Sequence, residues 1–226
     1  MSLLEVENLW VRFPTRQGIF DAVRGVSFAL ERERLGIVGE SGSGKSMTGR
    51  AILRLIRKPG IVESEAIRLE GRNLLELSEP EMRKVRGQKI SMVMQDPKFS
   101  LNPVMTIGDQ IMEAYLLHNN TSKAQARAKA IAMLEAVSIR DPERVIRAYP
   151  HEMSGGMGQR IMIAMMLIPD PQILIADEPT SALDVSIQSQ ILDLIKRLTK
   201  ERNLAVILIT HDMGVIAETA NRVAVM

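Results

Sequence analysis

Eight residues, GESGSGKS at 39–46, set glycines, a lysine and a hydroxyl at a fixed spacing and satisfy the pattern G-x-x-x-x-G-K-[ST] throughout. Gly39, Gly42 and Gly44 let the backbone curl so that successive N–H groups, including those of Glu40, Ser41 and Ser43, face a chain of phosphates. Lys45 is then placed for the β- and γ-phosphates and the Ser46 hydroxyl for Mg²⁺. A merely flexible Gly/Ser loop needs neither the lysine nor its flanks, an apolar run RLGIVG before and a helical pattern KSMTGRAILRLI after.

Two acids close another apolar run, ILIADEP at 173–179. Asp177 at its C-terminal end suits the hydration shell of Mg²⁺ beside a phosphate loop. Glu178 is placed to accept a proton from an attacking water. His211 in ITHDM follows a third apolar run, 33 residues beyond Glu178. Neighbouring strands in such sheets end at one edge, which puts His211 within reach of a γ-phosphate. Gln95, at the end of QKISMVMQ, offers an uncharged group to Mg²⁺ or to the water. His118 and His151 read as structural. A second anion-binding turn stands in HEMSGGMGQR at 151–160, where Ser154, Gly155 and Gly156 leave bare N–H groups at the start of a buried helix.

The elements that must position these residues are legible in outline. LLEVENLWVRF and VRGVSFAL read as early strands joined by a glycine-containing loop, PTRQGIF. QKISMVMQ, QILIAD and LAVILIT read as further apolar strands, and NRVAVM stops within another. From about 106 to 168 the strand signals give way to helices, TIGDQIMEAYLL and then SKAQARAKAIAMLEAV, with Ser122 as N-cap. In VSIQSQILDLIKRLTK, Ile187, Ile191, Leu194, Ile195 and Leu198 form one stripe. Strands alternating with helices predict an α/β fold with a mainly parallel sheet, interrupted by an all-helical insertion.

Composition narrows the functional classes. The chain has 226 residues, no cysteine and a net charge of only +2. That excludes a disulfide framework and a thiolate metal site, and gives no electrostatic case for a nucleic-acid partner. The longest apolar runs, IMIAMMLI and LAVILI, are far short of the ~20 residues that span a bilayer. Fifteen methionines read as adaptable core packing.

Taken in order, GESGSGKS, QDP at 95–97, SGG at 154–156, ILIADE, SALD at 181–184 and TH at 210–211 resemble the nucleotide-binding subunit of an ATP-binding cassette (ABC) transporter over essentially the whole chain. QDPKFSLNPVMTIGDQI, YPHEMSGGM and ADEPTSALDVSIQSQIL are similar to importer ATPases for dipeptides, oligopeptides and nickel. The resemblance implies a P-loop NTPase core, an N-terminal antiparallel β sub-domain and an inserted all-helical sub-domain. It implies one ATPase domain over 1–226, with the nucleotide-binding core at 1–95 and about 164–226, and the helical part at about 96–163. It further implies a head-to-tail pair of ATPase subunits, identical or related, sandwiching two ATP molecules with Mg²⁺. Each ATP then lies on one subunit's P-loop and against Ser154, Gly155 and Gly156 of the other, with Asp184 in the loop linking the two sites. Gln95 begins the segment that responds to the membrane-embedded partner. Phe13, or as second choice Phe20, stacks on adenine. Two membrane permease subunits, an extracytoplasmic solute-binding protein and a peripheral place on the cytoplasmic side of a bacterial inner membrane complete the expectation.

Departures from the family pattern matter too. Met153 and Gly158 stand where the family usually has leucine and a basic residue. A glycine in an early helical turn costs about 1 kcal/mol against alanine, and a cation near the partner's γ-phosphate is lost. Weaker ATP-driven dimerisation than in relatives is expected. By the same resemblance relatives continue for about a hundred residues beyond Met226, within ordinary domain sizes, so a C-terminally truncated cassette is expected. The competing readings are a truncated, non-functional remnant of a transporter, a soluble cassette ATPase acting on DNA or ribosomes, and an unrelated P-loop kinase or GTPase. The last leaves SGG, SALD and His211 unexplained.

Overall fold

The computed structural model describes residues 2–95, 100–181 and 183–226. The chain forms two compact units, Met1–Arg86 with Asn203–Met226, and Gly87–Arg202.

A long antiparallel hairpin opens the first unit, β1 (Leu4–Thr15) against β2 (Gly18–Leu30). Leu4, Val6, Leu9 and Val11 of β1 are all at most 1% exposed. From Val6 to Leu9 is three residues, whereas their partners Phe28 and Val26 are two apart, so β1 bulges at Asn8, whose φ is 51°. Strict alternation without that bulge would turn Leu9 and Val11 to the opposite face. A second bulge answers it in β2, at Gly25 with φ 61°. The strands also run through the stretch expected to be a loop. Pro14 pairs with Ile19 and Thr15 with Gly18, leaving only Arg16 and Gln17 as the turn. The Thr15 hydroxyl donates to the Gly18 carbonyl at 2.7 Å and accepts from the Gln17 N–H at 3.2 Å, which holds the turn tight.

Three short strands complete this antiparallel sheet. β4 (Ile61–Glu63) and β5 (Ala66–Leu69) pair with β1, and β6 (Arg72–Asn73) pairs with β5. α2 (Glu79–Val85) follows, its first turn closed by a reciprocal Ser78–Glu81 cap. Hydrophobic periodicity predicts none of these, because strands of two to four residues are too short to show alternation. The capping pattern SEPE at 78–81 is the signal that marks α2.

The parallel part of the first unit is built on β3 (Arg34–Val38), which lies between β9 (Ala205–Ile209) and β10 (Arg222–Val225). β3 is buried from Leu35 onward and β9 throughout, the unbroken apolar pattern of strands covered on both faces. α8 (Met213–Thr219) crosses β3 closely: a Cβ on Gly36 would sit 2.6 Å from Ile216 Cδ1. α1 (Lys45–Ile52) leaves the loop that follows β3.

In the second unit β7 (Ile90–Val93) and β8 (Ile173–Asp177) are parallel neighbours, fully buried. Between them in sequence come α3 (Ile107–Leu116), α4 (Lys123–Ala136), α5 (Pro142–Val145) and α6 (Gly155–Leu167), and α7 (Val185–Arg202) follows β8. Among the described residues no strand falls between 106 and 168, as the helical reading expects. Ser122 caps α4 by accepting from the Gln125 N–H, and Gln125 completes a capping box. On α7, Ile191, Leu194, Ile195 and Leu198 are buried, while Ile187 is half-buried beside Gly156.

Candidate active site

β3 delivers the phosphate loop of the first unit. Gly42 and Gly44 take φ values of 86° and 95°, which side-chain-bearing residues rarely adopt. A Cβ on Gly44 would also sit 2.3 Å from the Ala22 carbonyl oxygen. Gly44 thus caps α1 without a side chain, at a helix start of the kind that suits an anion. Lys45 is buried, its Nζ donating to the carbonyls of Gly39 and Glu40 at 2.8 Å each. An ammonium has three donors, so these bonds leave one for a phosphate oxygen. Among the described residues Ser43 Oγ is buried without a hydrogen-bond partner, an orphaned polar atom within the loop. Residues and geometry fit a nucleoside polyphosphate. His211 belongs to the same unit. Ile209 of β9 is level with Ile37 of β3, and the Thr210 N–H donates to the Ile37 carbonyl. His211 and the phosphate loop therefore leave the carboxyl ends of adjacent parallel strands, where open α/β sheets bind ligands. Just after it, Asp212 caps α8 by accepting from the Gly214 and Val215 N–H groups.

Both candidate aromatics lie in this unit, as cross-strand partners. Phe13 is half-buried, with Cε1 only 2.7 Å from where a Cβ on Gly60 would stand. Phe20 is 54% exposed and lines a cavity of about 590 Å³ together with Gly42 and Ser43.

The second unit carries the carboxylates. Asp177 ends β8 and is 1% exposed; Glu178 follows in a left-handed backbone conformation with φ 46°. Val93 of β7 is level with Ala176 of β8, so Gln95 and Glu178 each stand two residues beyond a paired position. The Gln95 Nε2 donates to Glu178 Oε2 at 3.0 Å. The sequence pattern suggests no such bond. Nor does it reveal Ser181, whose N–H and hydroxyl both donate to the Glu178 carbonyl at 3.3 Å. Among the described residues no three or more His, Cys, Asp or Glu form a group able to hold a metal ion. The Ser46 hydroxyl of the first unit and the Asp177 carboxylate of the second each offer hard oxygen, the ligand type that Mg²⁺ prefers.

Ser154, Gly155 and Gly156 stand at the start of α6. Ser154 caps it, accepting from the Met157 N–H at 3.4 Å. A Cβ on Gly156 would stand 2.9 Å from Ile187 Cγ2 of α7, and one on Gly155 would stand 3.6 Å from Leu183 Cδ2. Gly158 is buried in the first turn. The carboxylate of Asp184 is committed to α7: it accepts from the Ile187 N–H and the Ser186 hydroxyl, both at 3.0 Å. Those bonds, the backbone one foremost, hold its carboxyl below the usual range. Asp96 and Pro97 of QDP and Ala182 of SALD lie outside the described residues.

A family model described as ABC transporter matches residues 23–181. The chain belongs to the ABC transporter family. This cassette is 52% identical over 226 residues to the oligopeptide transport ATP-binding protein OppD of Bacillus subtilis (strain 168), covering 99% of the chain and 63% of OppD. It is also 52% identical over 227 residues to the dipeptide transport ATP-binding protein DppD of the same organism, covering all of the chain and 68% of DppD. The chain thus spans about two thirds of the length of these relatives. A dimeric post-hydrolysis state of the ATP-binding cassette MJ0796, bound to ADP and Pi, superposes with a TM-score of 0.86 at 28% identity, over 99% of this chain and 94% of that one. The ABC cassette fold, with its antiparallel N-terminal sheet, parallel strands and helical insertion, is the fold of this protein. Among the described residues of this ABC chain, no helix is long and apolar enough to cross a membrane.

Proposed function

We propose that this chain is the ATP-hydrolysing subunit of a membrane ABC importer for peptides, coupling ATP binding and hydrolysis to uptake. The observation that carries it is the phosphate loop, with a buried Lys45 directed across it and, among the described residues, a Ser43 hydroxyl without a partner inside it. Residues 1–226 work as one ATPase domain, core at 1–95 and about 164–226, helical part at about 96–163. The N–H groups at 39–46 and Lys45 hold the β- and γ-phosphates, and the adenine stacks on Phe13, with Phe20 as the alternative. Ser46 and Asp177 would hold Mg²⁺, which when bound neutralises charge on the phosphate oxygens. Glu178 accepts a proton from the water that attacks the γ-phosphorus in line. His211 touches the γ-phosphate, and Lys45 offsets the charge that develops on its oxygens.

Ser154, Gly155, Gly156 and Asp184 serve the nucleotide held by a second ABC ATPase subunit, identical or related. Two permease subunits and an extracytoplasmic solute-binding protein complete the importer, with this chain peripheral on the cytoplasmic side of a bacterial inner membrane. Names of relatives, oligopeptide and dipeptide transport, support the peptide cargo. The test is Glu178→Gln. ATP affinity is expected within a few-fold of the parent, while turnover falls by about 10²–10⁴; full turnover in that variant removes Glu178 as the base.

A further inference from the structure

Gln95 and Glu178 are 83 residues apart and touch because the register of two parallel strands brings them level. A carboxylate only accepts hydrogen bonds, so the group of Gln95 facing Oε2 has to be the NH₂ and not the amide oxygen. The bond is 3.0 Å long, within the normal range. Glu178 is constrained on its backbone as well. Its φ of 46° is uncommon for a residue with a Cβ, and its carbonyl is held twice by Ser181. Ser181 holds the Glu178 backbone and Gln95 holds its carboxylate, and both bear on the direction of the side chain. A base has to stand within hydrogen-bond reach of the water it deprotonates, and misplacement of about 1 Å costs on the order of 10²-fold in rate.

We propose that Gln95 is a positioning residue for the base, acting through its amide N–H on the Glu178 carboxylate. This rests on the reading of Glu178 as the base given above. It differs from the expectation that Gln95 works on Mg²⁺ or on the water, and the two assignments separate experimentally.

The first readout needs no turnover. In the ¹⁵N-glutamine-labelled, nucleotide-free chain, the Gln95 NH₂ resonances are identified by their loss in Gln95→Ala. They are expected to move in Glu178→Ala; unmoved resonances overturn the contact. The second readout is kinetic. Gln95→Ala is expected to lower kcat by about ten- to a hundred-fold with KM for ATP and the Mg²⁺ half-saturation nearly unchanged. In a Glu178→Gln background the same change is expected to shift the residual rate by no more than about two-fold, since residues that act as a unit are not additive. Gln95→Glu places a second carboxylate against Glu178 and is expected to be at least as slow as Gln95→Ala. A metal ligand behaves otherwise: the added carboxylate maintains or improves Mg²⁺ half-saturation and rate, Gln95→Ala weakens Mg²⁺ dependence, and its effect adds to that of Glu178→Gln. Any of those results overturns the proposal. Retained turnover in Glu178→Gln defeats the reading of the base itself, and is told apart because the amide resonances report the contact independently of turnover.

Discussion

Glu81 accepts from the Ser78 hydroxyl at 2.6 Å, the Ser78 N–H at 2.9 Å and Arg72 at 2.5 Å. All three favour the ionised form, and together, the Ser78 hydroxyl foremost, they bring its pKa from 4.5 down to about 2. The folded value lies below the unfolded one, so the carboxylate's contribution is complete above about pH 4.5 and is lost as pH falls toward about 2. Thermal unfolding followed through that window is expected to show a steeper loss in the parent than in Glu81→Gln, whose cap does not titrate. Parallel curves would mean that the charge contributes nothing. The same contrast between identity and contact holds at the site. Lys45, Asp177 and Glu178 are legible from their motifs because the chemistry needs those residue types at those places. The bond from Gln95 to Glu178 is not legible, because it depends on the register of β7 against β8, which no local pattern encodes.

At the scale of elements, long helices and long or buried strands announce themselves while very short strands do not. The stripe on α7 and the cap of α4 follow from spacing alone. LLEVENLWVRF reads as one strand despite the residue that Asn8 adds to its alternation, whereas two-residue β6 has no period to read. α6 shows how neighbouring glycines differ. Gly156 lies where α7 comes too close for a Cβ, whereas Gly158 borders a cavity of about 420 Å³ with Leu101, Pro103 and Met153. Further along α6, Arg160 donates to the Val137 carbonyl and to Gln190, and Arg197 of α7 donates to the Ala136 carbonyl. The carbonyl end of α4 is thereby tied to both helices, and cations suit that end of a helix. The first turn of α6 is its weak part. Gly158→Ala is expected to stabilise the chain by about 0.5–1 kcal/mol, because the backbone is already helical and the unfolded chain loses freedom. Gly158→Arg is expected to raise nucleotide-dependent dimerisation several-fold as well, read by size-exclusion chromatography with ATP in a Glu178→Gln background. An unchanged dimer fraction would mean that position 158 does not limit association.

For the whole molecule, the placement of the P-loop and the SGG turn on one chain has a consequence that single variants do not expose. Lys45 starts α1 in the first unit, and Gly155 starts α6 in the second. If both turns served one nucleotide on one chain, a chain lacking either would be inactive and mixing two such chains would change nothing. If each nucleotide is held by the P-loop of one subunit and the SGG turn of the other, damage is divided differently. A Lys45→Ala chain keeps a good SGG turn, and a Gly155→Asp chain, whose added carboxylate repels phosphate, keeps a good P-loop. Paired with each other, they build one site with both faults and one with neither. Random pairing at equal amounts makes half the dimers mixed, each with one intact site of two, so turnover is expected to return to about a quarter of the parent from near zero in either variant alone, as a closed two-fold dimer requires. The rate should rise with total concentration as the pair assembles. No recovery on mixing, with both variants folded and dimer-competent by chromatography, would place both turns on the same nucleotide and remove the shared site.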